Sequence, residues 1–98
     1  MFHLKFEWDR NKAETNRKKH GISFEEAQTV FFDEYARLIP DPDSSFGEER
    51  FIILGKSEQS SLLVVCHCYR GADDKIRLIS ARKAEKQERK QYEDYRYA

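Results

Sequence analysis

His67 lies in the run Leu62-Leu63-Val64-Val65-Cys66-His67-Cys68-Tyr69-Arg70. Strand alternation puts it on one face with Leu63, Val65 and Tyr69. An imidazole titrates near neutral pH, so His67 is a candidate general acid or base; the more common reading is a half-buried histidine hydrogen-bonded in place. Arg77 alternates with Ile76 and Leu78, which assigns it to the opposite face with Ile79 and Ala81, and Arg82-Lys83 follow at the end of that run. A guanidinium on a rigid strand can hold two phosphate oxygens, or it can form a surface ion pair with Glu48, Asp73 or Asp74. His67, Arg77 and Arg82 together offer what metal-free phosphodiester cleavage requires: a proton acceptor and donor, and cations for the charge on phosphorus.

Lys19-His20-Gly21 reads first as a helix end, with cations against the dipole and a glycine stop. Its functional reading is that Lys19 and His20 line a nucleic-acid path. Asp41, Asp43, Glu48 and Glu49 form an acidic stretch around Pro42, either solvated or able to hold Mg²⁺ for a metal-dependent nuclease. Cys66-His67-Cys68 is a poor metal site, because adjacent strand residues face opposite ways and no further cysteine completes a tetrahedral set. No metal or cofactor is expected.

The chain has 98 residues, room for one domain over 1–98. Its net charge is zero, from 18 basic and 18 acidic residues, but the charge is segregated. Residues 10–20 carry net +4, residues 33–49 net −5 and residues 75–90 net +5. That distribution points to a polyanion surface beside an acidic loop, or to solvated helix faces. No apolar run is long enough for a membrane span and no signal peptide opens the chain. Cys66 and Cys68 are too close on one strand for an unstrained disulfide, which fits a reducing compartment, and the expected location is the cytoplasm.

The elements that must position these residues follow from periodicity and caps. Residues 3–8 alternate as a strand, and Asp9 then caps a helix from about Arg10 to His20 that stops at Gly21. Ser23-x-x-Glu26 is a reciprocal capping box for a second helix ending near Asp33, with Phe24, Ala27, Val30 and Phe31 on its buried face. Tyr35–Ile39 is a short strand. Arg50–Lys56, Leu62–Arg70 and Lys75–Lys83 are three more, joined by connectors of hairpin length. Residues 84–95 are helical, with Tyr92 and Tyr95 as the groups to bury. The expected class is α+β: an antiparallel sheet in the order β-α-α-β-β-β-β-α, with helices on one face and the other face open.

The ordered words of the chain carry more than its composition. Phe6-Glu7-Trp8-Asp9, Asn11-Lys12, Asn16, Lys19-His20-Gly21-Ile22-Ser23-Phe24-Glu25-Glu26-Ala27, Glu48-Glu49-Arg50-Phe51, Leu63-Val64-Val65 and Arg77-x-Ile79-Ser80-Ala81-Arg82-Lys83-Ala84 resemble the BrnT family of toxins from Phe6 to about Tyr92. The resemblance implies a RelE-like fold and a ribonuclease that arrests growth by cutting RNA. It also implies a BrnA-type antitoxin with a ribbon-helix-helix part, through which the complex reaches operator DNA. His20, Arg50, Arg77, Arg82 and Lys83 fall in the matching words, so the expected RNA-binding set is Lys19, His20, Arg50 and Lys83 beside catalytic His67, Arg77 and Arg82. Cys68-Tyr69-Arg70 departs from the family's frequent Thr-Glu-Arg run.

Overall fold

A computed structural model describes residues 4–41, 49–70 and 75–97. β1 (Lys5–Glu7) leads into α1 (Arg10–His20), α2 (Phe24–Gln28) and a 3₁₀ turn (Thr29–Phe32). Strands β2 (Arg37–Pro40), β3 (Phe51–Lys56), β4 (Leu62–Arg70) and β5 (Lys75–Lys83) follow, then α3 (Lys86–Arg96). The element order is the one expected from sequence.

Local chemistry explains the helix ends. The Asp9 carboxylate accepts from the backbone N–H groups of Asn11 at 2.7 Å and Lys12 at 3.1 Å, satisfying two orphan donors of α1. Gly21 stops the helix with φ +73°, a conformation costly for a residue bearing Cβ. Ser23 caps α2 by accepting from the Glu26 N–H. The reciprocal half of that box is replaced, because the Glu26 carboxylate accepts the Ser57 hydroxyl at 2.7 Å. Tyr35 is not in a strand: its N–H is taken by the Asp33 carboxylate in a turn, and β2 starts later, at Arg37. Pro40 closes β2 at a sheet edge, where a missing N–H costs nothing.

The sheet order is β1-β5-β4-β3-β2. β2, β3, β4 and β5 pair antiparallel, but β1 runs parallel to β5 through Lys5↔Lys75, Phe6↔Ile76 and Glu7↔Arg77. The sheet is therefore mixed, not antiparallel throughout. Hairpin connectors set direction only between successive strands, and β1 finds its neighbour at the far end of the chain.

Helices also occupy both faces, not one. On the first face, Ile22, Phe24, Ala27 and Val30 pack on Ile53, Leu63, Val65, Ile76, Leu78 and Ala81. On the second, Tyr92 of α3 packs on Leu54, Leu62 and Val64. Each fully buried large side chain contributes about 1.5–3 kcal/mol of transfer free energy. α1 is short of such groups and is held by Asn16 instead. The Asn16 amide donates to the carbonyls of Ala81 (2.9 Å) and Ile22 (3.1 Å) and accepts from the Ala81 N–H (3.0 Å). β1 pairs only with Lys75–Arg77, so further along β5 this side chain serves the Ala81 backbone in place of a strand.

The β4–β5 ladder is interrupted once. Cys66 pairs with Ser80 and His67 with Leu78, so Ile79 is an extra residue on β5. The bulge reverses the alternation beyond it. Ala81 turns into the first-face core and is fully buried, contrary to its expected place beside Arg77.

Candidate functional site: a cationic sheet face

The register gathers polar residues on the second face. Arg77 lies opposite Cys68 on one side and Glu7 on the other, while Ser80 lies opposite Cys66 and Arg82 opposite Val64. Arg50 precedes Phe51, which pairs with His67, and its guanidinium is close enough to favour the Cys66 thiolate. Arg50, just before β3, and Arg77 on β5 thus lie either side of β4, about 10 Å apart at the backbone. Cys66, Cys68 and Ser80 form a floor of small side chains between them. α3 is the helix on this face among the described residues, and it rests on the Leu54, Leu62 and Val64 end.

Arg77 and Arg82 each pair with a carboxylate. Arg77 donates to Glu7 at 2.9 Å. Arg70 and Lys75 approach the same carboxylate at 4.0 and 3.8 Å, beyond hydrogen-bond reach. Arg82 forms a fork with Glu88, both contacts at 2.8 Å, and Glu88 also accepts the Glu85 N–H that caps α3. The Glu88 carboxyl is held below its ordinary range, first by the Arg82 hydrogen bond. These groups are all partly exposed, so such pairs add little to stability. Asp73, Asp74, Asp43 and Glu48, named as possible partners or metal ligands, lie outside the described residues.

Cys66 is no nucleophile. Burial comes first in pushing its thiol up to about 11, and the Asp41 carboxylate, which accepts its S–H at 3.5 Å, pushes the same way. Among the described residues, no group of three potential ligands is arranged to hold a metal ion.

His67 is not on this face. It pairs with Leu78, on the covered side, and is fully buried. Its ring meets the edge of Phe31 with centroids 4.8 Å apart and lies beside Phe51 and Tyr69. Nδ1 is 3.3 Å from the Val65 carbonyl, which can only accept, so Nδ1 carries the proton. Nε2 then accepts from the Tyr69 hydroxyl, also at 3.3 Å. Burial pushes the imidazole pKa below 6.5, with the Val65 bond opposing, so His67 is neutral at pH 7. The expectation that His67, Arg77 and Arg82 converge is corrected: the two arginines share a face and the histidine is inside the core behind it.

The other expected RNA contacts divide in the same way. Arg50 joins Arg77 and Arg82. Lys19 and His20 end α1, and Lys83 pairs with Leu63, which places all three on the first-face side. Sequence reasoning missed Glu7, Arg70 and Lys75 as members of the second-face cluster. The alternation of Lys5-Phe6-Glu7 held part of the signal, since burying Phe6 sends Glu7 outward, but its partners arrive from two distant strands.

A small α+β domain with cations collected on one sheet face suits an anionic polymer. The chain belongs to the BrnT family: the family profile "Ribonuclease toxin, BrnT, of type II toxin-antitoxin system" matches residues 8–88, most of its length. The fold agrees with a solved structure, the Brucella abortus ribonuclease toxin BrnT, at a TM-score of 0.66 and 23% identity, covering 86% of this chain and all of that one. No curated protein matches the chain. No helix among the described residues is long and apolar enough to cross a membrane.

Proposed function

We propose that this chain is a cytoplasmic endoribonuclease that arrests growth by cutting RNA on its second sheet face. Cleavage proceeds without metal, by attack of a 2′-hydroxyl on the adjacent phosphorus, and leaves a 2′,3′-cyclic phosphate. Arg77 and Arg50 bind phosphates of the RNA backbone on either side of Cys66, Cys68 and Ser80, and Arg82 extends the cationic track towards α3. Lys19, His20 and Lys83, on the other face, contact flanking RNA. A BrnA-type ribbon-helix-helix antitoxin neutralises the enzyme and carries it to operator DNA, and the RelE-like character of the fold belongs to the same reading.

One observation carries this reading: in a member of a ribonuclease toxin family, the bulge at Ile79 aligns Arg77 with Arg82 on the face that also holds Arg50. Guanidinium groups on strands hold their positions and can stabilise charge developing on phosphorus. The test is cleavage of end-labelled RNA by the purified protein in excess EDTA, with product ends mapped and Arg77→Ala run in parallel. Cyclic phosphate ends that disappear in the variant support the reading. Activity only with added Mg²⁺ would move the chemistry to the acidic stretch around Asp41 and Glu49. Binding of RNA with no cut in either buffer would make the chain a binding module.

A further inference from the structure

The second face offers cations in plenty but few groups able to take a proton. His67 is buried on the other side of the sheet, Cys66 holds its proton, and Asp41 accepts the Cys66 thiol. Glu88 is tied by both arms of Arg82 and by the α3 cap. Glu7 differs. Its side chain is 31% exposed, it is fixed outward because Phe6 packs edge-on against Phe31 in the core, and its one hydrogen bond among the described residues is from Arg77. A carboxylate has about four acceptor sites, so most of its capacity is not taken up by the described residues.

Glu7 is also where the cations converge. Arg77 donates to Oε2 at 2.9 Å, Arg70 stands 4.0 Å from Oε2 and Lys75 3.8 Å from Oε1. Among the described residues three cations serve one carboxylate, and two of them are near it without being hydrogen-bonded to it. A phosphate drawn in by Arg70, Lys75 and Arg77 would therefore sit beside a carboxylate oxygen. A base within reach of a proton, next to fixed cations, is the arrangement that 2′-hydroxyl attack requires.

We propose that Glu7 is the general base of the cleavage reaction, with Arg70, Lys75 and Arg77 as its phosphate cradle; this rests on the ribonuclease reading above. Glu7 takes the 2′-hydroxyl proton as the bond from the 2′-oxygen to phosphorus forms. The bond from phosphorus to the 5′-oxygen breaks, the departing oxygen takes a proton from water, and the hydroxide left behind takes the proton from Glu7, which restores its carboxylate. The products are a 2′,3′-cyclic phosphate and a 5′-hydroxyl, with charge and atoms balanced. The competing account is that the four residues only pin the three-residue β1 to β5.

The two accounts separate in single-turnover cleavage of a short single-stranded RNA, with affinity measured on the same sequence fully 2′-O-methylated, which cannot react. Glu7→Gln should cut about 10²–10⁴-fold more slowly. It should bind the methylated RNA as tightly as wild type or tighter, and melt within a few degrees of it. The wild-type rate should depend on pH across the acidic range in a way that the Glu7→Gln rate does not. The charged groups that face Glu7 are Lys5 on the same strand, Arg70 from β4, Lys75 and Arg77 from β5, and Asp9 after the strand, itself within the field of Arg77. Cutting by Glu7→Gln within threefold of wild type overturns the proposal and leaves the ribonuclease standing. So does a slower rate explained wholly by lost affinity. If Glu7→Gln does not fold, a wild-type rate flat across the acidic range overturns the proposal by itself. A wild-type protein that cuts no RNA removes the ribonuclease reading and this role together.

Discussion

Arg77 and Arg82 are five positions apart on one strand, yet both side chains leave the same face of the sheet. Regular alternation would put them on opposite faces; the extra residue at Ile79 cancels the difference. Arg77→Ala and Arg82→Ala should therefore both weaken binding of single-stranded RNA. Each should also reduce the log–log salt slope of affinity by about one. An unchanged slope in a titration from 50 to 300 mM salt would take that arginine out of the RNA path.

Asn16→Leu should be among the most damaging single changes in the protein. The amide serves both backbone groups of Ala81 and the Ile22 carbonyl in a buried setting. Leaving such groups unsatisfied costs about 1–3 kcal/mol each, and partial access to water will recover some of it. A urea midpoint corresponding to a loss of about 2–5 kcal/mol is expected. A loss below about 1 kcal/mol would show that α1 does not depend on this clamp.

His67 supplies a pH signature. Burial holds its folded pKa below the unfolded value near 6.5. Below about pH 6.5 the unfolded chain then binds more protons than the folded one, so the contribution is present above that pH and lost as pH falls through it. Wild type should lose more melting temperature between pH 7.5 and 5 than His67→Leu does. Cleavage per folded molecule should stay within about tenfold of wild type in that variant. A 10²-fold loss with the fold intact would return His67 to the chemistry.

Asp33 ties three parts of the fold together. Its carboxylate accepts from the Tyr92 hydroxyl at 2.6 Å and from the N–H groups of Lys56 and Tyr35. Burial alone would raise its pKa, but these hydrogen bonds outweigh it and hold it below the ordinary value. Tyr92→Phe should cost about 1.5–3 kcal/mol, the range for a hydrogen bond to a charged group. Burial first, then Asp33, pushes the Tyr92 hydroxyl up to about 12, while an unfolded tyrosine ionises near 10. Wild type should lose stability as pH rises from 10 towards 12, and Tyr92→Phe should lose less. Equal alkaline loss in both proteins, measured as urea midpoints at pH 9 and 11, would contradict the coupling.

Gly55 marks where the 3₁₀ turn presses on β3. A Cβ there would stand 2.9 Å from Val30 Cγ1, 3.0 Å from Ala36 Cβ and 3.2 Å from Asp33 Oδ2. Gly55→Ala should cost about 1–3 kcal/mol by overpacking. A variant as stable as wild type would mean that the turn can shift without disturbing the Asp33 bonds.

Much of this protein was legible one element at a time. Asp9, Gly21 and Ser23 act on backbone groups two to four residues away, so the limits of α1 and the start of α2 could be read from the chain. Phe24, Ala27 and Val30 at helical spacing, and Leu63 and Val65 at strand spacing, announced their buried faces, because burial needs only the local period. The family words from Phe6 to Tyr92 were equally visible. What the sequence by itself determined was thus the order of elements, the α+β class and the BrnT family. Only the tertiary structure decided that β1 runs parallel to β5, that α3 takes the second face, and that Ile79 is extra. The same level of structure buried His67 and set Glu7 among Arg70, Lys75 and Arg77. The physical reason is one of range: caps and periods act within a turn or two of chain. A bulge, a sheet neighbour and the burial of a histidine depend instead on which distant segment comes to lie alongside.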